Sequence, residues 1–145
     1  MTKMIFVNLP VANVAKATAF YETIGFDRNP QFSNEHASCM VWSDAIHVML
    51  LAHDFYATFT TKAIADTHTT SAALIALSRD SREQVDAITD AAIAAGGRET
   101  REKQDMGFMY GRAFEDLDGH TFEPMYMDME AAAAAMSGQH EGVAA

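Results

Sequence analysis

Apolar residues along this chain change spacing several times, from every second position to every third or fourth, and the order of those changes predicts the fold class. Met4 to Val11, "MIFVNLPV", is short, apolar and rich in β-formers, which predicts a strand that ends at Pro10 or runs along a sheet edge. Asn13 then suits a helix cap, Val14, Ala17, Tyr21 and Ile24 fall at helical spacing, and Gly25 supplies the stop. Phe26 to Phe32, His36 to Ser43 and Ala45 to Ala52 read as three strands separated by turn-forming residues. The order then repeats, with a strand over Ala72 to Ser78 and a helix capped by Ser81 and Gln84. That helix is striped by Val85, Ile88, Ala92 and Ala95 and ended by Gly96-Gly97. Strands over Arg98 to Gln104, Phe108 to Glu115 and His120 to Met127 complete the second pass.

Two βαβββ units in one chain predict an α+β fold built from a duplicated module, too long in period for a solenoid. The first module covers about residues 3–52 and the second about 71–128, within a single domain over 1–128. The connection, 53–70, carries Phe55, Tyr56 and Phe59 and ends in "THTTS", which suits one short helix and a lid-like role. Residues 129–145 are alanine-rich and are expected to form a short helix and a frayed tail.

Composition narrows the function classes. A net charge of −10 with scattered Lys and Arg excludes nucleic acid and anionic lipid surfaces as expected partners. No apolar run reaches the roughly 20 residues of a membrane span, and "MTKMIFVNLP" lacks the features of a signal peptide, so the expected location is cytoplasmic. The single Cys39, in "ASCMVW", reads as a buried small hydrophobe. His36, His53, His68, His120 and His140 show no paired ligand spacing and read as surface or turn residues. Trp42, Phe55, Phe59 and Tyr110 read either as pocket lining or as core.

Two stretches, "VNLPVANVAKATAFYETIGF" and "GFMYGRAFEDLDGHTFEPMYMD", resemble the vicinal oxygen chelate superfamily of glyoxalase, bleomycin resistance and extradiol dioxygenase proteins. The closest similarity is to a subgroup described as predicted lactoylglutathione lyase. The resemblance runs from about Met4 to Asp128 and implies a curved, cup-like mixed sheet, a ligand on its concave face and a homodimer. It also implies a divalent metal held by a His or Gln in each module's first strand and a Glu in each fourth strand. Glu123 matches the final carboxylate, whereas the other three positions fall on Phe6, Met49 and Leu74, which offer no nitrogen or oxygen ligand. No cofactor is therefore expected, with a divalent metal kept as the open alternative.

Glu123 lies among Thr121, Phe122, Pro124 and Met125, and a carboxylate facing a dry concavity needs a partner. With a two-residue loop in the turn at Asp116 to Gly119, Tyr110 and Arg112 share the face of Glu123, and Arg112 takes the place of the missing cation. A three-residue loop reverses that facing. The competing reading of Arg112 is a rim salt bridge worth at most about 1 kcal/mol. Asn8 shares a strand face with Phe6, and His47 with Met49, so both are candidate ligand contacts, and His47 with Glu123 is the one metal pairing to be tested. Three functions stay open: a metal-dependent lyase or isomerase, a metal-free module binding a small molecule, and a metal-free enzyme using Glu123 as base.

Overall fold

Asn13 and Ser81 start the two long helices as expected. The Asn13 Oδ1 accepts a hydrogen bond from the Lys16 N–H at 2.9 Å and the Ser81 Oγ one from the Gln84 N–H at 3.1 Å. Gln84 reaches back one residue further than a capping box requires, its Oε1 accepting from the Asp80 N–H at 2.9 Å. Gly25 and Gly96 follow the helix ends at φ +108° and +107°, where a side chain would be strained.

The computed structural model describes residues 2–144, with side chains through Ser137. The first module is β1 (Ile5–Val11), α1 (Val14–Thr23), β2 (Asp27–Asn29), β3 (Ala37–Ser43) and β4 (Ile46–Ala52). The connection opens with the short α2 (His53–Ala57). The second module is β5 (Leu74–Ser78), α3 (Arg82–Ala94), β6 (Arg98–Asp105), β7 (Met109–Glu115) and β8 (Thr121–Met127), and α4 (Met129–Ala144) follows. The expected strand over Phe26 to Phe32 is cut to three residues. Pro30 cannot donate to a ladder, and the chain turns there through a 3-10 segment started by the Asn29 side chain.

Each module forms its own four-stranded mixed sheet, in the orders β1-β4-β3-β2 and β5-β8-β7-β6. The first strand of each runs parallel to the fourth and lies at the sheet edge, which is where Pro10 is tolerated. One face of each sheet carries a helix, and both of these faces feed one core. Val11, Phe20, Tyr21, Met40 and Leu50 from the first module pack with Leu77, Ile88, Phe114 and Phe122 from the second. Tyr21 meets Phe122 edge-on at 5.7 Å and Phe20 lies 6.4 Å from Phe114, so α1 is wedged between its own sheet and that of the second module. Burying each such ring contributes roughly 1.5–3 kcal/mol. Because the helix-bearing faces share the core, the two open faces turn away from it.

The turn between β7 and β8 bolts the modules together. Asp116 is buried, its Oδ2 accepting from the Tyr21 hydroxyl at 2.5 Å and its Oδ1 from the N–H groups of Asp118 and His120 at 2.9 Å each. Asp118 accepts in turn from the Ala12 N–H at 2.8 Å. His120 is a turn residue, as expected, but not an exposed one: it is buried, with its Nε2 2.7 Å from the Pro10 carbonyl oxygen. The acidic turn therefore serves packing between modules. Burial pushes the Asp116 carboxyl up from the usual range, and burial followed by the Asp116 charge pushes the Tyr21 phenol up as well.

Candidate functional site

Strand register decides which side chains reach the open faces. Tyr110 pairs with Tyr126, Gly111 with Met125, Phe114 with Phe122 and Glu115 with Thr121, which leaves five residues, Asp116 to His120, in the turn. An odd-numbered connection of this kind sets Arg112 opposite Pro124 and Glu123 opposite Ala113. Arg112 thus shares the helix-bearing face with Phe114 and Phe122, and Glu123 takes the other.

Arg112 is therefore not the partner of Glu123. Its Nε donates to Glu99 at 2.9 Å and its Nη1 to Asp86 at 3.1 Å and to Asp90 at 3.0 Å, which fixes the β6–β7 layer to α3. Those carboxylates, Glu99 first, push the guanidinium pKa up. Tyr110 likewise points to α3, its hydroxyl donating to Asp86 at 2.6 Å. That bond is the largest reason its pKa is pushed up to about 12 and the Asp86 pKa is lowered. Neither Tyr110 nor Arg112 lines an open face.

The cation beside Glu123 is Arg101 of β6. Its Nη2 donates to the Glu123 Oε2 at 2.9 Å, with the two side chains 34% and 24% exposed. The pair is half-wet and worth about 1 kcal/mol or less as stability, so its place on the open face matters more than its energy. The Nη1 of Arg101 is buried and has no hydrogen-bond partner among the described residues. Ala76 of β5 pairs with Glu123, and Leu74, on the same face, is 60% exposed. The ion pair thus stands on a floor of small residues, Ala76, Gly111 and Ala113, beside Leu74 and Met125.

The other expected contacts gather on the open face of the first sheet. Phe6 pairs with His47 and Asn8 with Met49. The Phe6 and His47 rings stack at 4.5 Å with 15° between planes. Asn8 and Leu51 floor a recess of about 270 Å³ walled by Tyr56, Phe59 and Thr60, so α2 and the residues after it do lie over this face. Cys39 is buried there beside Met49, and burial pushes its thiol up. His47 stands on β4 of the first sheet and Glu123 on β8 of the second. Among the described residues no group of three or more His, Cys, Asp or Glu side chains is placed to hold a metal ion. With Phe6, Met49 and Leu74 at three of the implied positions and Glu123 engaged by Arg101, the donor set does not fit a divalent metal. His140 lies outside the described side chains.

Residues 3–123 match the sequence profile described as Glyoxalase/Bleomycin resistance protein/Dioxygenase superfamily. The chain belongs to that superfamily. Solved structures with the superfamily's fold agree at low identity. A hypothetical protein from S. aureus is 24% identical, with a TM-score of 0.73 over 87% of this chain and 95% of its own. A glyoxalase/bleomycin resistance protein/dioxygenase family enzyme from Burkholderia phytofirmans PsJN is 19% identical, with a TM-score of 0.71 over 87% and 99%. A fosfomycin resistance protein from Listeria monocytogenes is 20% identical, with a TM-score of 0.62 over 87% and 91%. No curated protein matches the sequence. No helix among the described residues is long and apolar enough to cross a membrane.

Arg101 is the superfamily-face residue that sequence reasoning missed. Its strand, "RETREKQD", is polar throughout and carries register shifts on both sides of Arg101, so no apolar alternation marks which residues face which way.

Proposed function

We propose that this chain is a metal-independent, small-molecule-binding member of the superfamily, in which the Arg101 guanidinium neutralises Glu123 in place of a divalent ion. The observation that supports this reading most is the 2.9 Å pair between Arg101 and Glu123 at the one implied ligand position that keeps a carboxylate. Side by side, the guanidinium and carboxylate offer a donor and an acceptor to a polar ligand group, and the flanking Leu74 and Met125 offer apolar contact.

Metal analysis tests the proposal. Protein incubated with nickel, zinc, manganese or iron and then desalted is expected to retain far less than one equivalent, and Arg101→Met is expected to remain equally metal-poor. One equivalent retained, together with turnover of methylglyoxal and glutathione, would instead establish the lactoylglutathione lyase reading. A metal-free enzyme with Glu123 as base is the third reading, and the electrophilic role then passes from Arg112 to Arg101. Glu123→Gln would abolish turnover while keeping ligand binding in that case.

The same reading includes a second copy of the chain as partner. Ile5 and Leu74 are each more than half exposed on the free edges of β1 and β5, beside a cleft of about 500 Å³. Pairing about a two-fold axis covers these edges and brings an open face of one protomer toward its partner. Sedimentation of the wild type as a dimer, and of Leu74→Glu as a monomer with an unchanged circular dichroism spectrum, is the expected result. A monomeric wild type at tens of micromolar would overturn this part.

A further inference from the structure

Phe6 is 48% exposed although one face of its ring lies against His47, so the other face of a flat aromatic surface is open. His47 is only 8% exposed, and its Nδ1 is buried without a hydrogen-bond partner among the described residues. A polar atom left in that state is destabilising by about 1–3 kcal/mol, and the imidazole is held by stacking instead. One pleat further along β1, Asn8 enters the recess beneath Tyr56 and Phe59, and Phe59 is 69% exposed. Residues two apart on a strand are separated by roughly 7 Å, so the open Phe6 ring and the recess are about one ring-width apart. The β1, β4 and β3 residues facing this side carry no carboxylate, ammonium or guanidinium, and the Asp27 carboxylate of β2, which shares this face through its pairing with Val41, lies at the opposite edge of the sheet from β1.

We infer that this face binds a small, planar, uncharged aromatic molecule of one or two rings. The inference rests on the small-molecule reading above and names its ligand class. One end of the molecule lies on the open face of Phe6; the other enters the recess, where the Asn8 amide meets a hydroxyl or carbonyl on its edge and Tyr56 and Phe59 close over it. Offset stacking on an aromatic ring adds about 0.5–1.5 kcal/mol beyond the area buried, which favours an aromatic over a saturated ligand of equal size. The recess, at about 270 Å³, lies just under the usual range of about 300–1,000 Å³ for ligand pockets, which limits the size. The absence of a charged partner on these three strands disfavours a ligand that must bring an ion into the recess.

The probe is 2-naphthol, with its fully saturated counterpart decahydro-2-naphthol as the control for apolar burial alone. Each is titrated into the full-length chain and followed by amide chemical shifts. Naphthol is expected to move the signals of Phe6, Asn8, Tyr56 and Phe59 and to bind about two- to tenfold more tightly than the saturated alcohol. Phe6→Ala should weaken naphthol about tenfold, and Phe6→Trp should keep it. Equal affinity for the two alcohols, or naphthol binding that ignores Phe6→Ala, or no shift on this sheet, would overturn the assignment. A metal-loaded protein would defeat the reading it rests on and leave the naphthol result standing, so the two failures are distinguishable.

Discussion

Asp116→Ala is expected to destabilise the fold by about 3–4 kcal/mol, read as a lowered midpoint in urea denaturation followed by fluorescence and circular dichroism. The substitution leaves two backbone N–H groups and the Tyr21 hydroxyl without their acceptor in a place water does not reach. Each orphaned buried donor costs about 1–3 kcal/mol, with less than full additivity because the three share one partner. Asp116→Asn is the informative companion. It keeps an oxygen for the two N–H groups and has no charge to desolvate, so it should cost about 1 kcal/mol. Burial already pushes the Asp116 carboxyl up, which is the sign that its ionised form is disfavoured where it sits. An Ala variant within about 1 kcal/mol of wild type would show that the turn does not fasten the two modules.

Arg112→Met is expected to cost about 2–3 kcal/mol in thermal or urea unfolding, against about 1 kcal/mol or less for Arg101→Met. The difference follows from burial: the Arg112 side chain is 13% exposed and serves three carboxylates, whereas Arg101 is 34% exposed and serves one. Removing Arg112 leaves Asp86, Asp90 and Glu99 facing one another without a counter-charge. The loss should shrink as pH falls, because the carboxylates then protonate. The sign for the wild type is the reverse of a histidine's. Asp86 is held below its ordinary pKa by the Tyr110 hydroxyl first and Arg112 after it, and Asp105 is held at about 2 by Arg82. The stability these groups supply is present above the ordinary carboxylate pKa of about 4 and is lost as pH falls through their lower folded values. Equal losses for the two arginine variants would contradict the division between a structural and a site-facing guanidinium.

Much of the architecture was legible because local signals and tertiary packing agreed. Asn13, Ser81, Gly25 and Gly96 mark helix ends through backbone requirements that do not depend on the rest of the molecule. Pro30 departs from the periodicity: the apolar spacing extends a strand through it, and its missing donor converts that segment to a turn. The burial of His120 within its turn is not legible, because nothing local to "DGH" indicates that the Pro10 carbonyl, far along the chain, covers it.

The sequence by itself determined the duplicated βαβββ order and the superfamily and raised the need for a positive partner if Glu123 faces a dry cavity, because periodicity, caps and the cost of a bare carboxylate are properties of residue type and spacing. Which arginine answers that need was decided only by the tertiary structure. Side chains alternate faces with a period of two, so a turn of odd rather than even length exchanges Arg112 for Arg101, and no composition or motif reports that parity.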